Sequence, residues 1–223
     1  MQADSTPIHS SQHGPHQGLA RRVERALRTP WRRPFAEHSR IAFASAQAWL
    51  DARPGHPLVL DSGCGVGLST RRIAERHPDA LVIGVDRSLD RISRDHGPLP
   101  GNACLIRADL VDFWRLALEA GWAPRAHYLL YPNPYPKPGL LKLRWHGHPV
   151  LPSLLGLGGE LELRSNWKIY VEEFAIAVGL VTGSAPAVET FVPEGAALTP
   201  FEAKYQRSGH ALWRLRVGLQ RLG

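Results

Sequence analysis

The sequence predicts a doubly wound α/β fold: a mostly parallel sheet with helices on both faces. Three observations carry that expectation. Residues 58–70 read Leu-Val-Leu-Asp-Ser-Gly-Cys-Gly-Val-Gly-Leu-Ser-Thr, a short buried strand, a glycine-rich turn and the start of a helix. Strand-like and helix-like stretches alternate from there to the end of the chain. An acid follows each of the first three strands: Asp61, Asp86 and Asp109.

At 223 residues, with a net charge of +7 and a pI near 9.9, the chain has room for one compact domain and an extension. The positive balance favours a polyanionic partner. Cys64 and Cys104 offer neither a metal spacing nor a disulfide framework, which points to a reducing cytoplasm and no metal. No apolar run approaches membrane-spanning length, so no membrane partner is expected.

Residues 1–38 read as a disordered tail and a basic arm, and 39–223 as the globular domain. Within the arm, Leu19, Val23, Ala26 and Leu27 share one face of a helix over 19–28, with arginines around it. The arm reads as a solvated helix, as a grip on phosphates, or, third, as a transit peptide. Ile41, Ala44, Ala48 and Trp49 predict an apolar helical stripe packed beside the first strand. That strand covers 58–60. Ser69 or Thr70 is expected to cap the helix that follows, which stops at His77 and Pro78.

The second strand, 80–86, ends on Asp86, at the spacing where a carboxylate meets ribose hydroxyls in nucleotide sites. Ser88 caps a short helix. A third strand over 103–107 leads to Asp109, then a helix over 110–121 and a fourth strand over 127–131. Prolines fix the shape of the following loop, Pro-Asn-Pro-Tyr-Pro-Lys over 132–137, and present Asn133 rigidly. Lys142, Arg144, His146 and His148 read equally as functional cations or as a solvated basic face. A helix over 149–157, a strand over 160–164, a helix through Val178, and strands near 187–192 and 211–219 complete the chain.

The turn alone leaves an ordinary glycine-rich turn and a cofactor loop evenly matched, and the rest of the chain decides between them. A dinucleotide fingerprint needs a third glycine where Leu68 stands. Asp61-x-Gly63-x-Gly65-x-Gly67 instead resembles motif I of the class I S-adenosylmethionine (SAM) methyltransferases. SAM carries a sulfonium and an ammonium, which an acid such as Asp61 suits electrostatically. Each aspartate alone could be a helix cap; three in register favour a SAM site. The resemblance implies a seven-stranded Rossmann-like sheet with an antiparallel last strand.

Four blocks are similar to the tRNA (guanine-N7-)-methyltransferase family: residues 60–67, Gly84-Val85-Asp86, the 132–137 loop, and Thr199-Pro200-Phe201-Glu202 with Gly209 and Trp213 beyond it. Tyr170 and Glu172, after Asn166, keep step with a further family pattern. The resemblance implies that Asp61, Gly63, Gly65, Gly67, Asp86, Asp109 and Asn133 hold SAM. It implies that Lys137, Asn166, Thr199, Pro200, Phe201 and Glu202 face the guanine nucleotide, and that Asn133 takes the catalytic position. The implied substrate is tRNA, at the variable-loop guanosine 46, and the protein is expected as a monomer or a homodimer.

The chain departs from the family at named positions. Asn133 and Asn166 stand where the family has aspartate, Tyr135 where it has tryptophan, and residues 138–141 lack its basic run. An amide accepts through one oxygen only, so altered or reduced activity on guanine is expected. Asn133-Pro134-Tyr135 also resembles the loop of enzymes that methylate exocyclic or amide nitrogens, a second reading. A catalytically silent RNA-binding relative is the third.

Overall fold

A computed structural model of the chain describes residues 5–221. Seven strands form one sheet in the order β3-β2-β1-β4-β5-β7-β6: β1 (Leu58–Ser62), β2 (Leu81–Asp86), β3 (Ala103–Arg107), β4 (Ala126–Leu130), β5 (Gly159–Ser165), β6 (Val188–Thr190) and β7 (Trp213–Leu219). The predicted α/β class holds. Contacts group the chain into two units. The glycine-turn unit holds Arg33–Leu130, Gly156–Leu161 and the described residues from Gly218. The acceptor-block unit holds the described residues up to Arg32, Tyr131–Leu155 and Glu162–Val217.

In the glycine-turn unit, β1 pairs in parallel with β2 and β4, and β2 with β3. Every residue of β1 and β2 is buried, as a leucine and β-branched run covered on both faces requires. The order reverses between β2 and β4 on either side of β1, which makes β1 the topological switch point. Helices α2 (Glu37–Asp51), α3 (Leu68–Arg76), α4 (Leu89–Ile92) and α5 (Leu110–Glu119) complete this unit. The expected α2 stripe is rotated: Ile41 is 60% exposed, and Ser39 and Ala46 are the buried positions. Phe43 contacts Phe113 and Trp122 at 5.5 and 4.9 Å, so α2 packs on α5 and β3. The face that docks carries Phe43, which meets an aromatic pair, rather than the expected Ile41, Ala44, Ala48 and Trp49.

In the acceptor-block unit, β6 pairs antiparallel with β7. Helices α1 (Leu19–Arg28), α6 (Leu151–Gly156), α7 (Lys168–Thr182) and α8 (Pro200–Arg207) accompany them, with 3-10 turns at Pro138–Leu143 and Trp145–Gly147. Helix α1 packs on α7 through Leu19, Val23 and Ala26; Leu27, expected beside them, is 44% exposed. Residues 5–18 form neither helix nor strand, yet Ser10, Gln12 and His16 hydrogen-bond to Pro136, Arg144 and Glu173. Helix α8 was not expected. Thr199 caps it by accepting from the Glu202 amide at 2.9 Å, and Pro200 at its first position suits a helix start.

Candidate cofactor and acceptor residues

The glycine turn is built on three left-handed residues, Gly63, Gly65 and Gly67, with φ of 85°, 58° and 76°. Any side chain there would be strained, and at Gly67 a Cβ would also strike Leu105. Gly67 is the N-cap of α3, so Ser69 and Thr70 are not caps as expected; they sit in its first turn. From there both hydroxyls donate to Asp61 Oδ2, at 2.6 and 2.7 Å. Asp61 lies inside β1, 1% exposed, and its Oδ1 is buried with no hydrogen-bond partner among the described residues. Burial pushes its carboxyl up to about 6 against the opposing pull of the two hydroxyls, and Asp86 adds to the rise.

An orphaned carboxylate oxygen at the end of a switch-point strand is an acceptor for a cationic donor. The ammonium of SAM fits that requirement, and the nearby sulfonium adds a second positive charge for the carboxylate to face. Asp86 closes the turn from the next strand: Oδ2 accepts the Gly65 amide at 3.0 Å and Oδ1 the Ser88 amide at 2.8 Å. Asp109 caps α5 by accepting from the Val111 amide at 2.8 Å. Beneath the turn, Trp114 Nε1 donates to Ser62 Oγ at 2.9 Å, and Ser62 meets His127 Nε2 at 2.6 Å. Burial holds the imidazole neutral at about 3, so one proton is shared between Ser62 and His127, given by the hydroxyl or by the ring according to the tautomer. Sequence reading missed this relay. Its members are scattered over three elements, and none forms a local motif.

The acceptor-block unit carries the 132–137 loop. Tyr131 just before it and Tyr135 within it have φ of 51° and 43°, a left-handed conformation that costs bulky residues ~1–3 kcal/mol each. Specific bonds hold both. The Tyr131 amide donates to Arg164 O and its phenol to Glu202 Oε2, both at 2.8 Å. The Tyr135 carbonyl accepts Arg144 Nε and Nη2 at 3.2 and 3.1 Å. Asn133 is exposed, and its Oδ1 accepts the Tyr135 amide at 3.3 Å, a turn that fixes the side chain. Lys137 is exposed beside it.

Arg144 and His146 are not part of a basic face. They are 0% and 1% exposed. Both reach Glu173 Oε2, at 2.6 and 2.7 Å, while Gln12 Nε2 and the His16 amide donate to Oε1. Burial opposes ionisation of Glu173, but His146 and Arg144 outweigh it and hold the carboxyl down at about 2. Desolvation lowers His146 below the usual imidazole range, and its Nδ1 is buried with no partner among the described residues, so it donates from Nε2 as the neutral ring. Sequence reading missed Glu173, which matches no motif although it adjoins Glu172.

Thr199 and Glu202 are both buried. Glu202 Oε1 accepts the Leu198 amide at 2.9 Å, and Oε2 accepts Tyr131 and, at 2.9 Å, Arg164 Nη1. Its carboxylate therefore ties α8 to the loop. Phe201, 47% exposed, stacks on Tyr205, which stacks on His210 at 5.3 Å and 13°. His210 Nδ1 lies 3.2 Å from Asn166 Nδ2. Asn166, Tyr205, His210 and Phe201 thus form a polar and aromatic surface that can stack on a planar base.

A family model described as "Putative methyltransferase" (Methyltransf_4) matches residues 55–215. The chain is similar to a protein of Neisseria meningitidis serogroup B named tRNA (guanine-N(7)-)-methyltransferase, 27% identical over 87% of this chain and 85% of that one. It is similar to the protein of that name from Leifsonia xyli subsp. xyli, 28% identical over 78% and 82%. Among solved structures, one titled "Structure of an Antibiotic Related Methyltransferase" covers 79% of this chain and 94% of its own, with a TM-score of 0.57 at 13% identity, a likeness of fold.

Proposed function

The chain belongs to the methyltransferase family whose model spans residues 55–215, and from that premise we propose that it methylates guanine N7 in tRNA. It is a SAM-dependent methyltransferase; the base and the RNA are the proposal. The observation that carries it is the similarity, over most of both chains, to curated proteins named tRNA (guanine-N(7)-)-methyltransferase.

SAM supplies an electrophilic methyl group on a sulfonium. The residues of this chain bind, orient and exclude water. Asp61 offers its orphaned oxygen to the cationic end of the cofactor, held in place by Ser69 and Thr70. Asp86 presents a carboxylate whose remaining lone pairs suit neighbouring hydroxyls. The bare backbone of Gly63, Gly65 and Gly67 allows close approach, and Asp109 closes the third strand end. Guanine N7 has a free lone pair at neutral pH, so no residue has to remove a proton, and positioning does most of the work.

On the acceptor side, Lys137 supplies a cation and Asn166 a hydrogen-bonding amide. Phe201 supplies a stacking face and Asn133 orients the base, while Thr199, Pro200 and Glu202 build the turn that sets Phe201. Asparagine at 133 and 166 weakens recognition of the guanine N1–H and amine, so reduced activity is part of the proposal. The site on tRNA is the variable-loop guanosine 46, and the compartment is the cytoplasm.

The test is to incubate the protein with labelled SAM and unmethylated tRNA and to identify the product nucleoside. 7-Methylguanosine supports the proposal. An N-methylated exocyclic amine would favour the Asn-Pro-Tyr reading, and no incorporation with no SAM binding the silent relative.

A further inference from the structure

Helix α1 uses Leu19, Val23 and Ala26 to dock on α7, which leaves its arginines on the outside. There they border a cavity of about 540 Å³ lined by Arg21, Arg22, Arg25, Thr29, Trp31 and Pro149, among others, with no carboxylate in the lining. Two bonds define its walls. Arg22 Nε donates to Gly147 O at 3.0 Å, and Trp31 packs edge-on against His148 at 5.3 Å. The one acid on α1, Glu24, is turned to Arg28 at 3.9 Å. Burial lowers Arg22 from its ordinary value, and the charges of Arg25 and Arg21 lower it further, so the three guanidinium groups repel one another. Such a cluster is relieved by an anion.

The geometry points to this cleft as a binding site for the phosphodiester backbone of RNA, separate from the residues that hold SAM or face the target base. A polyanion fits better than a single small anion. The segment that lines the cavity is itself strongly cationic, with six arginines and one acid across residues 21–33. The indole edge and proline in the lining suit the apolar side of a sugar or base. The inference rests on the tRNA reading of the substrate, and it adds a place where that RNA is gripped away from the acceptor base.

Arg21 and Arg25 are exposed, so Arg21→Ala/Arg25→Ala should fold as the wild type does, checked by circular dichroism. In the full-length protein, tRNA affinity is measured by filter binding across a salt series, and SAM affinity by calorimetry. The expected result is a tRNA Kd raised about tenfold at low salt and a salt slope reduced by about 1.4 to 2, with SAM affinity unchanged. Arg21→Lys/Arg25→Lys should keep the slope. Unchanged tRNA affinity and slope in the alanine variant would overturn the inference. So would loss of binding to anionic phospholipid vesicles with no change toward tRNA. The two proposals fail separately: if wild type yields no 7-methylguanosine but the alanine variant loses RNA affinity, the cleft stands and the catalytic reading falls.

Discussion

Replacing Asp61 with asparagine should stabilise the ligand-free protein while removing its cofactor binding. The folded carboxyl sits at about 6 against an ordinary 3.8 because it is buried. Its folded state therefore holds a proton that the unfolded chain has already released. Stability falls as pH rises through that window, and by neutral pH the ionised, buried Asp61 costs about 3 kcal/mol. Asparagine keeps an oxygen for the Ser69 and Thr70 hydroxyls and introduces no charge. Urea unfolding of both proteins at pH 4 and pH 7.5 measures the effect. The variant should gain ~2–3 kcal/mol relative to wild type at the higher pH and almost nothing at the lower. SAM binding, by calorimetry, should be lost in the variant, and in the wild type should weaken as pH falls below about 6. Equal stability of the two proteins at pH 7.5, or SAM affinity retained by the variant, would refute the reasoning about Asp61.

Three further substitutions probe other parts. Glu173→Gln leaves Arg144 buried without its counter-charge, and unfolding by denaturant should show a loss of about 3–5 kcal/mol. In the wild type, Glu173 is held at about 2 rather than 4.5, so its contribution is complete above pH 4.5 and is lost as acid drives the pH down toward 2; a pH series of unfolding midpoints reads this. Gly84→Ala places a Cβ against Thr70 Oγ1, which should push the hydroxyl off Asp61 and lower SAM affinity at least as much as stability, by calorimetry and melting. Asn133→Asp should raise the rate of methyl transfer to guanine severalfold in the tRNA assay; a flat or lower rate would remove the case for reduced activity.

The alternation of strands and helices was legible because it rests on local patterns. Short, mostly β-branched and leucine runs at 58–60 and 81–85, bounded by turn residues, read as buried strands, and the ends of β3 match expectation to the residue. Helix faces were less legible. The α2 stripe named Ile41, but the face that docks is set by what lies opposite, Phe113 and Trp122, and periodicity holds no record of a partner. Helix α8 was missed although Thr199-Pro200-x-Glu202 is a helix start, because the segment is short and carries little apolar periodicity.

The conformation of the glycine turn was determined by sequence alone, because left-handed backbone demands glycine at fixed spacing. Tertiary structure decided which charges are exposed. Arg144 and His146 look like a basic face along the chain, since their neutralising partner, Glu173, lies 29 and 27 residues away on α7. It likewise decided that Ser69 and Thr70 serve Asp61 rather than cap a helix, and that Glu202 spends its carboxylate on Tyr131, Arg164 and Leu198. The physical reason is common to these cases. Whether a polar side chain is a ligand or a brace depends on who satisfies its hydrogen bonds, and burial brings those partners from distant parts of the sequence.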